Sequence, residues 1–187
     1  MYSILTQSQI HEVLRNSGLR DKILDIINRP GSCWPGGQKA VFVAVVPGSE
    51  DLGRTRRTEQ YGPETHKYEA NGEHFPVLAW KKAGMSRRTQ MSTRTLLEEY
   101  PFLLESGDCL YAGGVYGGGL AVGAAGLTED ADEEVAQIVH DALMEAAKQE
   151  VQRRKKSDDL KDRQLPPPPP RTPAQRAAAS YHMCGRD

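Results

Sequence analysis

Residues 1–150 read as one α/β domain of the α+β kind, helices packed on a sheet, and residues 151–187 as a basic, proline-rich tail expected to stay disordered. Three observations carry that reading. Ala40–Val46 (AVFVAVV) is an apolar run without alternation and partly β-branched, the pattern of a strand covered on both faces. Val135, Ile138, Val139, Ala142, Leu143 and Ala146 fall at i, i+3, i+4, i+7, i+8 and i+11, the stripe of a helix with one buried face. The composition then changes. From Val151 onward there are nine Lys/Arg against four Asp/Glu and five consecutive prolines at 166–170, whereas the preceding body has fifteen Lys/Arg against twenty-one Asp/Glu.

Thr6-Gln7-Ser8-Gln9 fits a capping box, and Ile10, Val13 and Leu14 follow as a helical stripe that Gly18 is expected to interrupt. Leu19, Ile23, Leu24, Ile26 and Ile27 predict a second short helix, ended by Pro30-Gly31. Residues 31–37 (GSCWPGG) predict a loop, and Pro47-Gly48 ends the first strand. The stretch 49–74 is polar, with an edge strand expected at His66–Glu69. Pro76 can open a helix, because its missing N–H costs nothing in the first turn. Met91–Tyr100 predicts another helix, Cys109–Tyr111 the start of a second strand, residues 113–119 a glycine-dense turn, and Leu120–Ala125 the returning strand. Thr128 is placed to cap the last helix, with Glu129, Asp130 and Asp132–Glu134 at its positive end. That helix is expected to fray into Arg153–Lys156.

An acidic body argues against a folded nucleic-acid surface. The basic tail suits an acidic partner or its own body, and its proline run adopts polyproline II, a ligand for a proline-binding domain in a partner protein. Cys33, Cys109 and Cys184 are few, odd in number and without metal spacing, so a reduced, cytoplasmic chain is expected. The first residues form no secretory signal, and no apolar run approaches the ~18 residues that span a bilayer.

Known motifs are excluded by single positions. His11-Glu12 begins H-E-x-x-H, but residue 15 is Arg15. The glycine run fails G-x-G-x-x-G at Val122, and no phosphate loop of the G-x-x-x-x-G-K-S/T type exists. His66 and His74 are candidate axial ligands for haem iron, weighed against exposed loop histidines. His140 reads as a boundary residue of the last helix. Lys81-Lys82 and Arg87-Arg88 form a basic patch able to hold a carboxylate, weighed against a solvated helix face. No Ser, Cys or Thr is spaced as a nucleophile beside a His.

Three stretches together resemble the GlcG/HbpS-type family, often called haem-degrading or haem-binding. Val41–Val46 is similar to its early central strand. Ala79-Trp80-Lys81-Lys82-Ala83 followed by Arg87–Thr89 is similar to its Lys-Ala helix. Tyr111–Val115, Val122–Gly126 and Asp132–Glu134 resemble its close: a Gly-Gly turn, a small-residue strand and an acidic helix start. The resemblance covers roughly residues 40–148. Pro47–Asp51 and Tyr116 depart from the family's loops, as does the shortened Gly126-Leu127-Thr128.

The resemblance implies a profilin-like sandwich, homo-oligomers, and binding of a small molecule, with haem the first to consider. It points to a site made by Lys82, Gly113, Gly114, Gly126 and Asp132. There the glycine amides would face the ligand, Lys82 would offer it a point charge, and Asp132 would hold the turn or contact the ligand. His74 is the metal candidate. Two other readings stay open: an enzyme on the same scaffold moving protons with His74, Lys82 and Asp132, and an adaptor working through its polyproline tail.

Overall fold

A computed structural model describes residues 4–33, 39–47, 57–63, 69–70 and 73–157. Among them one four-stranded antiparallel sheet is packed by helices on both faces, the α+β architecture expected. Its strands are β1 (Val41–Val46), β2 (Arg57–Tyr61), β5 (Gly114–Gly117) and β6 (Leu120–Ala125), in the order β2-β1-β6-β5. A short ribbon of β3 (Glu69–Ala70) and β4 (Glu73–His74) leads into α3 (Phe75–Thr89).

The AVFVAVV run explains the layering. All six residues of β1 are buried. Val41, Val43 and Val45 point into a core with α1 (Gln7–Leu14), α2 (Ser17–Asn28) and α5 (Glu129–Lys156), while Phe42, Ala44 and Val46 point to α3 and α4 (Thr93–Glu99). A strand between two helix layers has no wet face, so it needs no polar alternation.

The capping box forms as expected. The Thr6 amide donates to Gln9 Oε1 at 2.8 Å, and the Gln9 amide donates to Thr6 Oγ1 at 3.2 Å. The break after the first stripe is present but falls at Arg15-Asn16 rather than at Gly18, which lies in the first turn of α2 because Asn16 accepts from the Leu19 amide and starts that helix ahead of it. Thr128 takes the N-cap position of α5, yet its side chain makes no capping bond. Instead of fraying at Arg153, α5 continues to Lys156, with Glu150 bonded to Arg153 and Arg154. Residues 158–187, hence the proline run and Cys184, lie outside the described residues.

Of the edge strand expected at His66–Glu69 only Glu69 is among the described residues, where it opens β3; the outer strand of the sheet is Arg57–Tyr61, paired with β1. Tyr61 anchors that strand, its buried hydroxyl donating to Leu14 O at 2.7 Å. Two other expectations are corrected. Cys109–Tyr111 is not a strand, and the glycine run is mostly strand rather than turn. Gly114–Gly117 is β5, and only Gly118 and Gly119, at φ +56° and +82°, turn the chain into β6. Two residues with positive φ between antiparallel strands match the right-handed twist of a hairpin.

Candidate functional site

Gly114 and Gly123 face each other across β5 and β6. Helix α3 presses on both. A Cβ on Gly123 would lie 2.2 Å from Ala79 O, and one on Gly114 would lie 2.6 Å from Lys82 O and 2.6 Å from Ser86 Oγ. The glycines therefore let a helix backbone rest on the sheet, and Ala79 and Ala83 complete the contact without bulk. This close approach carries Lys82, in the middle of α3, over the end of β6.

Lys82 does not reach solvent. Its Nζ donates to Asp132 Oδ2 at 2.8 Å and to Ala124 O at 2.9 Å, and both side chains of the pair are 3% exposed. The other oxygen of Asp132 accepts from the Leu127 amide at 3.0 Å, and the Gly126 amide also bonds this carboxylate. Burial pushes the Asp132 carboxyl above its ordinary range, against the opposing pull of Lys82 and of those two amides. Gly113 closes the arrangement. Its φ is +122°, and a Cβ there would lie 2.8 Å from both Lys82 Nζ and Asp132 Cβ. Gly126, at φ +136°, turns β6 toward α5 where a side chain would strike Ala40 O at 2.3 Å.

All five ligand-binding candidates thus meet, as a closed node rather than an open pocket. Two expected roles are corrected. The Gly114 amide does not face a ligand, because it donates to Thr93 Oγ1 at 2.8 Å. The Lys82 charge is spent on Asp132 and Ala124 O, so it is no free point charge for a carboxylate. Asp132 does hold a turn by accepting amides, but the turn is Gly126-Leu127 between β6 and α5, not the glycine hairpin.

The remaining candidates lie apart. His74 is exposed at the N-cap of α3, eight residues before Lys82, or about 12 Å along the helix axis. His140 seats the hairpin on α5, with Nε2 3.1 Å from Gly117 O. In the basic patch, Arg87 donates to Pro47 O, while Arg88 binds Leu103 O, Glu105 and Asp108. Among the described residues no group of three or more His, Cys, Asp or Glu could hold a metal ion, and no helix is long and apolar enough to cross a membrane.

Several residues of the node's surroundings were not singled out by sequence. Thr93 is fully buried between α4 and β5. Ser86 Oγ is buried beside it with no hydrogen-bond partner. Glu129 accepts the Ala112 amide at 2.8 Å, fixing the approach to β5. Arg94 joins α4 to the start of α5 through Asp130 and Glu133. Each partnership spans seventeen or more residues, so spacing carries no signal of it. The acidic helix start was the one hint that a cation is near.

No family model matches the chain, and no curated protein matches it. Among solved structures, the crystal structure of Klebsiella pneumoniae protein ORFY, described by the family model DUF336, is similar to it. The identity is 16%, the TM-score 0.46, and the match covers 75% of this chain and 90% of that one.

Proposed function

We propose that this chain is a small-molecule-binding domain of the GlcG/HbpS type, with the Lys82–Asp132 node as its internal frame and haem as the ligand to test. One observation carries the reading. Positions named by resemblance alone, from Lys82 to Asp132, are drawn into one hydrogen-bonded cluster around two glycines of positive φ. A resemblance by chance would not select residues fifty positions apart that touch.

The node itself is sealed, so the ligand rests on the frame's outside. His74 is the accessible histidine nearest to it in sequence, at the start of the helix that carries Lys82. A neutral imidazole there would supply one axial bond to iron. Binding rather than turnover fits the node, because Lys82 and Asp132 are both bonded and shielded from any substrate.

Haem titration followed at the Soret band tests this. Saturable binding is expected, weakened at least about tenfold by His74→Ala with the circular dichroism unchanged. Absence of a saturable Soret change removes haem. Native mass spectrometry of the chain purified from its source then decides whether any other small molecule occupies it; a bare mass would overturn the binding reading as well.

A further inference from the structure

The tip of the β5–β6 hairpin is seated on α5 through a buried histidine, His140. A Cβ on Gly117 would lie 3.0 Å from both Cε1 and Nε2 of His140, and one on Gly118 would lie 2.4 Å from Met144 Cε. His140 and Met144 are four residues apart on α5, so they share the face on which these two glycines rest. The His140 side chain is only 11% exposed, and each ring nitrogen faces an oxygen. Nε2 lies 3.1 Å from Gly117 O, and Nδ1 lies 3.3 Å from Asp141 Oδ1. Turning the ring over would set a carbon against each oxygen instead.

Both oxygens are acceptors. A backbone carbonyl has no proton to give, and neither has an ionised carboxylate. A neutral imidazole has a single N–H, so it donates to Gly117 O or to Asp141, never to both. With the proton on Nε2, the Nδ1 lone pair points at a carboxylate. The imidazolium has two N–H groups and meets both acceptors, and its bond to Gly117 O is then charge-assisted, roughly twice as strong as a neutral one. We infer that His140 is a proton-operated clasp, whose charged form holds the β5–β6 hairpin on α5 and whose neutral form loosens it. The charged form is the better bonded one in the folded chain, so the clasp is complete on the acid side and weakens as pH rises through the imidazole range, about 6.5 for a free side chain.

Among the described residues no other charge is bonded to the ring. On α5 itself the neighbour is Asp141, whose Oδ1 also accepts from Gln137. Strands β5 and β6 carry one ionisable group, the hydroxyl of Tyr116, which packs in the cluster on the opposite face of the sheet. The other elements packed on α5 are α1, with His11 and Glu12, and α2, with Arg20, Asp21, Lys22 and Asp25; none is paired with His140. The clasp bears on the node, because β5 runs from the hairpin back to Gly114, under α3, and to Gly113, against Lys82 and Asp132. It stands apart from the haem reading, since neither haem nor His74 takes part.

Amide exchange of the full chain tests the inference. The readout is protection over residues 115–122 relative to Val43 in the central strand, corrected for the intrinsic effect of pH. Asp141 is 67% exposed, so screening keeps the effect to a few-fold. Relative protection is expected to be about threefold or more higher at pH 5.5 than at pH 7.5. His140→Gln keeps a donor for Gly117 O that does not titrate and should flatten the profile. Asp141→Ala, at an exposed position, removes the second acceptor and should shrink the difference to less than half. A wild-type ratio that is flat over this range overturns the inference. So does a pH dependence that survives in His140→Gln, because another group then carries it, or one that Asp141→Ala leaves undiminished, because the second acceptor then plays no part.

Discussion

Lys82 and Asp132 each lose their water on folding, and each recovers interaction mainly from the other. Removing one partner strands the second as a buried charge, which typically costs about 3–5 kcal/mol, whereas an apolar pair of similar size costs much less. Lys82→Met and Asp132→Leu are each expected in that range by urea unfolding, with the double variant well above the sum of the two in stability. Single losses under about 1 kcal/mol would mean that water reaches the pair. Two glycines give a sharper contrast at the same scale. Gly123 has no room, with Ala79 O 2.2 Å from where a Cβ would sit, so Gly123→Ala should destabilise by roughly 1–3 kcal/mol or more. Gly84 is exposed within α3 and has nothing within 4 Å of its Cβ position. Gly84→Ala should stabilise by about 0.4–1 kcal/mol, because it only restricts the unfolded chain. Equal effects at the two sites would contradict the close packing of α3 on the sheet.

Helix α5 is the element that the sequence described best, and it offers two tests. Leu143 is buried against the sheet, and Leu143→Ala should cost about 2–5 kcal/mol in lost burial and cavity. At the far end, hydrogen bonds from Arg153 and Arg154 hold the Glu150 carboxyl down to about 2 from an ordinary 4.5. A folded value below the unfolded one means the stabilisation is fully present above about 4.5 and is lost as pH falls toward 2. Amide exchange over residues 150–156 should therefore quicken between pH 5 and pH 3 relative to Val139, and Glu150→Gln should remove that difference. Why α5, β1 and β6 were legible is physical: each has its own apolar pattern, set by burial on one face or on both. Strand β2 (RTEQY) is an edge strand whose middle residues Thr58–Gln60 are not buried, so its pattern carried no core signal. The glycine run was misread for the opposite reason. A strand that must lie under a helix backbone is written in glycine, and locally that is indistinguishable from a turn. The node followed the same division. Its members were named by motif, but their mutual bonding, which turns a binding site into a frame, depends on contacts forty to fifty residues apart.

At the scale of the whole chain, charge divides it near the end of α5. Among the described residues, both apolar clusters are built from residues between Ile4 and Ala147, on the two faces of one sheet. Everything after Ser157 brings nine basic and acidic residues, six further prolines including the run of five, and few large apolar residues beyond Leu160, Leu165, Tyr181 and Met183. A chain ending at Ser157 keeps the bonds of Glu150 to Arg153 and Arg154, so the cut leaves α5 whole. Its melting temperature should lie within about 4 °C of the full chain, a shift that corresponds to roughly 1 kcal/mol for a body of this size. The acidic body and the basic tail could still attract one another, and salt separates that from packing. A loss of stability on truncation that appears at low salt and vanishes at 0.5 M salt would be long-range attraction, since the screening length is then only a few ångströms. A loss above 4 °C that survives high salt would mean apolar residues of the tail dock on the body, and the division at Ser157 would be wrong.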